Sequence, residues 1–172
     1  MSAGPLAGIR ACVFDAYGTL FDYASAARRC RDALGGAWEP LAAMWRDKQL
    51  QYTWLRAAGL KTAILSNGTP AMLAAAVDKS AIGDLLDAVL SVEEAGVFKP
   101  HPRVYQLAVD RLGIAPQAMS FQSANAWDAW AASAFGMRAV WCNRYGQRAE
   151  RLPGRPSHEI RTLAELPALL GA

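Results

Sequence analysis

An apolar run from Ile9 to Phe14 passes directly into Asp15-Ala16-Tyr17-Gly18-Thr19-Leu20-Phe21-Asp22, so a carboxylate stands at the first loop position after a buried-strand pattern. Gly18 permits a tight turn there. A carboxylate at such an edge can attack an electrophilic carbon or phosphorus and form an ester, dividing one difficult substitution into two easier steps. The same residue could instead cap the turn that follows it. Three further polar clusters bear on the choice. Ser66-Asn67-Gly68-Thr69 ends a second apolar run, Lys99-Pro100 follows a third, and Ser123, Asn125 and Asp128 follow a fourth on a segment leading into a helical pattern. Taken singly, Ser66 and Asn67 could cap the helix that begins near Pro70, and Asp128 could be a first-turn carboxylate favoured by the helix dipole. Four such clusters on one edge are what a shared site requires.

The elements that would bring these clusters together alternate along the chain. Ile9–Phe14, Thr62–Leu65, Ala88–Leu90, Met119–Phe121 and Ala139–Cys142 read as short buried parallel strands. Helical patterns over Pro70–Lys79, Pro102–Leu112 and Ala126–Phe135 follow the second, third and fourth. This is the pattern of an α/β doubly wound parallel sheet, whose ligands bind beyond the carboxyl ends of the strands. Tyr23 to Ala58 breaks the alternation with two helices in a row, Ala24–Leu34 and Pro40–Arg56, separated by Gly35-Gly36. At 1.5 Å per residue they would be ~16 and ~25 Å long. The expected division is a core of residues 1–22 and 59–172 with a small helical cap, 23–58, standing over the sheet edge. Asn143 to His158, rich in Arg, Gly and Pro, reads as a solvated loop.

With 172 residues, 53% apolar and 19% charged, the chain has the composition of one globular domain. The formal charge of +3 comes from scattered Arg and Lys rather than a dense block, which suits an anionic small molecule and gives no reason to expect nucleic acid. Met1 to Gly8 has no basic stretch followed by a long apolar run, and no segment approaches 18 uninterrupted apolar residues. A cytoplasmic protein without membrane contact is expected. Cys12, Cys30 and Cys142 are odd in number and lack metal-ligand spacing, so neither a disulfide framework nor a zinc site is expected; Cys12 and Cys142 read as small core hydrophobes.

Asp15-x-Tyr17-Gly18-Thr19, Ser66-Asn67-Gly68, Lys99-Pro100 and Ser123-x-Asn125-x-x-Asp128, in this order from Ile9 to about Gly146, resemble the haloacid dehalogenase superfamily, and most closely its (S)-2-haloacid dehalogenase branch. The resemblance implies the superfamily's Rossmann-like core. It also implies that Asp15 attacks C2 of a 2-haloacid with inversion, with Lys99 the cation that positions Asp15 and keeps it ionised. Asp128 would orient or deprotonate the water that attacks the resulting ester. Thr19, Ser123 and Asn125 would fix the carboxylates by hydrogen bonds. The Ala16 amide, Ser66 and Asn67 would hold the substrate carboxylate, and Arg46 would accept the halide. Trp127 and Tyr105 match aromatic positions near the site, with packing a nearly equal reading of both. Related phosphatases usually carry a second Asp two residues after the nucleophile, where it protonates the leaving alcohol and helps hold magnesium. Here that residue is Tyr17, which would line the pocket and cannot be a low-pKa acid. A halide leaves as a stable anion without protonation, so displacement at carbon with no metal and no cofactor is expected.

Relatives have a larger helical cap, and the segment expected between Arg56 and Ala57 is missing, with several dozen pocket-lining residues. A cap excludes water and strengthens the interactions that stabilise a leaving halide. A shortened one should leave the site wetter and expose Leu41, Met44, Trp45, Tyr52 and Trp54, a patch that homodimerisation would cover. Asp47 stands where relatives often have an amide, and would repel an anionic substrate if it faced the pocket. Two other readings stay open: a phosphatase of the same superfamily, and a catalytically impaired member that acts through association.

Overall fold

The computed structural model describes residues 4–21 and 55–171. Among these, six strands form one sheet: β1 (Ala11–Phe14), β2 (Lys61–Ser66), β3 (Ala88–Ser91), β4 (Met119–Ser123), β5 (Arg138–Cys142) and β6 (His158–Ile160). All five pairings are parallel, in the order β3-β2-β1-β4-β5-β6. The chain steps outward from β1 to β3, then crosses back to the far side of β1 and continues to β6. The topological switch therefore lies between β1 and β4, where doubly wound sheets bind ligands.

The register explains why the apolar runs are continuous. Ala11 and Val13 pack toward one cluster with Val104, Tyr105 and Ala108 of α2 (Pro102–Leu112) and Ala132 of α3 (Ala126–Phe135). Cys12 and Phe14 pack toward the other with Leu73 of α1 (Pro70–Ser80) and Leu166 of α4 (Leu166–Leu170). Helices cover both faces, so the strands need apolar side chains on both sides. On α2 the buried positions Val104, Tyr105, Ala108 and Leu112 form one helical stripe. Each buried Val or Leu contributes about 1.5–3 kcal/mol.

α1 and α3 start within four residues of the ends of β2 and β4, whereas α2 begins eleven residues after β3. Thr69 caps α1 by accepting from the Met72 amide at 3.3 Å, and His101 caps α2 by accepting from the Arg103 amide at 3.2 Å. Ser66 and Asn67 are thus not the caps of α1. Asn125 holds the N-cap position of α3, yet its side chain makes no cap bond.

The structure departs from the sequence reading at its margins. The Asn143–His158 segment is irregular as expected up to residue 157, but His158 opens β6, and α4 follows. A three-residue edge strand with only Ile160 fully buried has too short a pattern to reveal its period. The expected cap helices fall almost entirely on residues 22–54, outside the described residues, together with Arg46, Asp47, Trp45, Trp54 and Cys30. At the end of that segment Leu55 is buried in the second cluster, the Arg56 guanidinium donates to the Asp84 carbonyl, and Gly59 (φ 73°) turns the chain into β2. Cys12 and Cys142 are buried free thiols, and burial pushes the Cys12 thiol far up.

Candidate active site

Asp15 directly follows β1 at the switch point, with Gly18 at φ 82° turning the loop behind it. Its amide donates to the Gln122 carbonyl at 2.9 Å, tying the residue to β4. Both carboxylate oxygens are engaged. Oδ2 accepts from the Thr19 hydroxyl at 3.0 Å, the Asn125 amide at 3.1 Å and the Ser123 hydroxyl at 3.5 Å. Oδ1 accepts from Lys99 Nζ at 3.0 Å. The cap position of Asn125 explains its missing cap bond: its amide turns to Asp15 instead, a local helix rule given up at the site.

Lys99 Nζ also lies 2.9 Å from Asp128 Oδ2, so one ammonium bridges two carboxylates. Lys99 and Asp128 are almost completely buried. Burial alone would lower the Lys99 pKa, but Asp128 and Asp15 outweigh it and hold the ammonium above its ordinary value. Burial raises Asp128 above the usual carboxylate range and the nearby Asp15 charge adds to this, while Lys99 and Tyr105 pull the other way. The Tyr105 hydroxyl donates to Asp128 Oδ1 at 2.7 Å, and burial with the Asp128 charge pushes the phenol up, keeping it protonated.

A cavity of about 340 Å³ opens over Asp15, lined by Tyr17, Gly18, Ser66–Thr69, Met72, Asn125 and Trp127. Ser66, Asn67, Tyr17 and Trp127 therefore share its wall with Asp15. Ala16, Thr19, Lys99, Ser123, Asp128 and Tyr105 do not reach it and stand behind the nucleophile position. Tyr105 is fully buried, so this aromatic meets Asp128 rather than the cavity. Asn67 Oδ1 accepts from the Lys99 amide at 3.0 Å, which fixes the lysine's main chain.

Sequence reading missed several supports. The Ser91 hydroxyl donates to the Gly68 carbonyl at 2.8 Å, and Trp141 Nε1 donates to the Ala124 carbonyl at 3.3 Å. Met72, half exposed in the first turn of α1, forms part of the cavity wall. The signal for Met72 was available, since first-turn residues of helices that start at the carboxyl edge face the ligand crevice.

Fold and site together define a doubly wound α/β protein that carries a buried carboxylate–ammonium–carboxylate cluster at its switch point. A family model described as haloacid dehalogenase-like hydrolase matches residues 50–136. The chain is 35% identical to (S)-2-haloacid dehalogenase 1 of Pseudomonas sp. (strain CBS-3), covering 94% of this chain and 96% of that protein. It is 34% identical to (S)-2-haloacid dehalogenase 4A of Burkholderia cepacia, covering 94% and 95%. The solved L-2-haloacid dehalogenase from Xanthobacter autotrophicus with chloropropionic acid covalently bound superposes with a TM-score of 0.75 at 30% identity, covering 95% of this chain and 99% of that one. This chain belongs to the haloacid dehalogenase-like hydrolases. Within them it sits in the (S)-2-haloacid dehalogenase branch. The alignment with the Pseudomonas protein spans 219 positions against 172 residues here, so that relative carries several dozen residues without a counterpart in this chain.

Proposed function

We propose that this chain hydrolyses short (S)-2-haloalkanoic acids to (R)-2-hydroxyalkanoic acids through an ester on Asp15. The observation that carries the proposal is the Lys99 ammonium held 3.0 and 2.9 Å from the Asp15 and Asp128 carboxylates. With Tyr17 in place of a second loop acid, it favours metal-free displacement of a halide over phosphoryl transfer.

In the first half-reaction Asp15 Oδ1, which has one donor against three on Oδ2, keeps the electron pair that attacks C2. The new C–O bond forms as the carbon–halogen bond breaks, and the halide leaves with its electron pair. Thr19, Asn125 and Ser123 hold Oδ2 and so fix the angle of attack. Ser66 and Asn67 are the assigned contacts for the substrate carboxylate, Tyr17 and Trp127 for its alkyl group, and Arg46 for the halide; the Ala16 amide, which does not reach the cavity, leaves that set.

Esterification cancels the Asp15 charge and removes one of the two anions that hold Lys99. Water then attacks the ester carbonyl carbon and loses a proton to Asp128, while the three donors on Oδ2 stabilise the developing oxyanion. Collapse releases the hydroxy acid, whose alkoxide takes the Asp128 proton. The water oxygen stays in Asp15, whose carboxyl then gives up the remaining proton to solvent and returns to the carboxylate. Burial makes Asp128 a stronger base than an exposed carboxylate, which suits this step.

A truncated cap over residues 23–58, a homodimer formed through its apolar side and a cytoplasmic location belong to the same reading, supported by the sequence pattern. The test of function is halide release from (S)-2-chloropropionate, its (R)-enantiomer and a panel of phosphate esters, with excess chelator. Turnover of the (S)-acid alone supports the proposal. Phosphate release restored by magnesium would return the chain to the phosphatase reading.

A further inference from the structure

We infer that Arg144 is a positioning residue for the nucleophile, acting through the main chain of Thr19; this rests on the reading of Asp15 as nucleophile. Arg144 lies in the segment after β5 that composition marks as solvated. It is instead half-buried, and its Nη2 donates to the Thr19 carbonyl at 2.6 Å while Nε donates to Cys142 Sγ at 3.4 Å. Among the described residues no carboxylate lies within ion-pairing distance of it. An arginine in such a place normally meets an acid, and here its fork is committed to one main-chain oxygen and one thiol.

The oxygen it holds belongs to the residue that joins the two halves of the site. The Thr19 hydroxyl donates to Asp15 Oδ2 at 3.0 Å and accepts from the Ala124 amide at 2.7 Å, linking the loop after β1 to the loop after β4. The position of Arg144 is itself fixed by Asn143. The Asn143 side-chain amide donates to Glu159 Oε1 at 2.6 Å and to the Gln147 carbonyl at 3.1 Å, and its Oδ1 accepts from the Gln147 amide at 2.7 Å. A charge-assisted donor on the Thr19 carbonyl is a strong, directional anchor. Without it the loop that aims Asp15 can drift, and a shift on the order of 1 Å costs about 100-fold in rate where attack geometry matters.

Steady-state halide release from (S)-2-chloropropionate should be compared for wild type, Arg144→Met, Arg144→Lys, Arg148→Met, Thr19→Val and the double variant Thr19→Val/Arg144→Met. Arg144→Met is expected to lose about tenfold or more in kcat with KM little changed, and Arg144→Lys to recover most of it. Arg148, an exposed neighbour of equal charge, controls for net charge, and its loss should leave the rate unchanged. If Arg144 acts only through Thr19, its removal costs nothing more in the Thr19→Val background. Equal losses in both backgrounds, or an equal loss in Arg148→Met, would overturn the inference. Hydrogen exchange at the Ala124 amide is independent of turnover. Arg144→Met should accelerate it while β1 amides stay protected, and unchanged protection would overturn the inference by itself. A wild type that releases no halide would sink the dehalogenase reading and leave the exchange measurement to decide on Arg144.

Discussion

Replacing Lys99 by Met keeps the length of the side chain, and with it packing near the Phe121 ring, whose centroid lies 5.0 Å from Nζ. It removes the one charge that reconciles two carboxylates. Asp15 and Asp128 sit 3.0 and 2.9 Å from Nζ, so their nearest oxygens are no more than about 6 Å apart with little water to screen them. Removing one partner of a buried ion pair costs about 3–5 kcal/mol. Against a total stability on the order of 5–15 kcal/mol, that loss brings the fold near its limit. The cost also takes a pH signature. Asp128 is already raised by burial and by Asp15, and without Lys99 it rises further, so the native state binds more protons than the unfolded one. Stability then increases as pH falls through the native pKa, down to the ordinary carboxylate range, and is lost as pH rises. Urea unfolding of wild type and Lys99→Met from pH 5 to 8 would measure this. The variant should be inactive, and its stability deficit should shrink toward pH 5. A deficit below about 1 kcal/mol at pH 7, or one that grows toward pH 5, would refute the bridging role assigned to Lys99.

Tyr105→Phe removes the donor at 2.7 Å from Asp128 Oδ1 and should lower kcat by about 10- to 100-fold with KM little changed, as steady-state kinetics would show. Gly68→Ala would place a Cβ 2.7 Å from Tyr17 Cε2, driving the ring into the cavity; KM for the (S)-acid should rise while the unfolding midpoint changes little. Asn125→Ala leaves Asp15 Oδ2 one strong donor short and should slow both half-reactions, seen as a lower single-turnover rate of ester formation and of ester loss. Trp54→Glu on the cap should convert a micromolar dimer to monomer in sedimentation, whereas a wild-type monomer throughout that range would end the homodimer proposal.

Strand-end chemistry made much of the site legible. Asp15, Lys99, Ser123, Asn125 and Asp128 each follow a buried run, and parallel strands must bring such positions to one edge. The order of those strands was not legible, because runs of similar composition do not say which lie side by side. Nor was the layering of the site. Asp15 and Asn125 reach the cavity while Lys99 and Asp128 lie beneath them, a difference of a few ångströms in depth set by side-chain direction. Tyr105 shows the same limit: its spacing on α2 marks it as core, and only the packing of α2 against α3 aims its hydroxyl at Asp128. Arg144 was hidden by its neighbours, since an Arg- and Gly-rich segment reads as solvent-exposed unless the Asn143 turn that redirects it is seen.

The covalent route through Asp15 is tested most directly by a single turnover in heavy-oxygen water, with enzyme in excess over (S)-2-chloropropionate, followed by mass spectrometry of the peptide containing Asp15 and of the hydroxy acid. Ester hydrolysis at the carbonyl carbon places the water oxygen in Asp15 and sends an unlabelled carboxylate oxygen out with the product. Label in the Asp15 peptide with unlabelled hydroxy acid is the predicted result. Label in the hydroxy acid alone would mean that water attacks C2 directly, and would contradict the role of Asp15 as nucleophile.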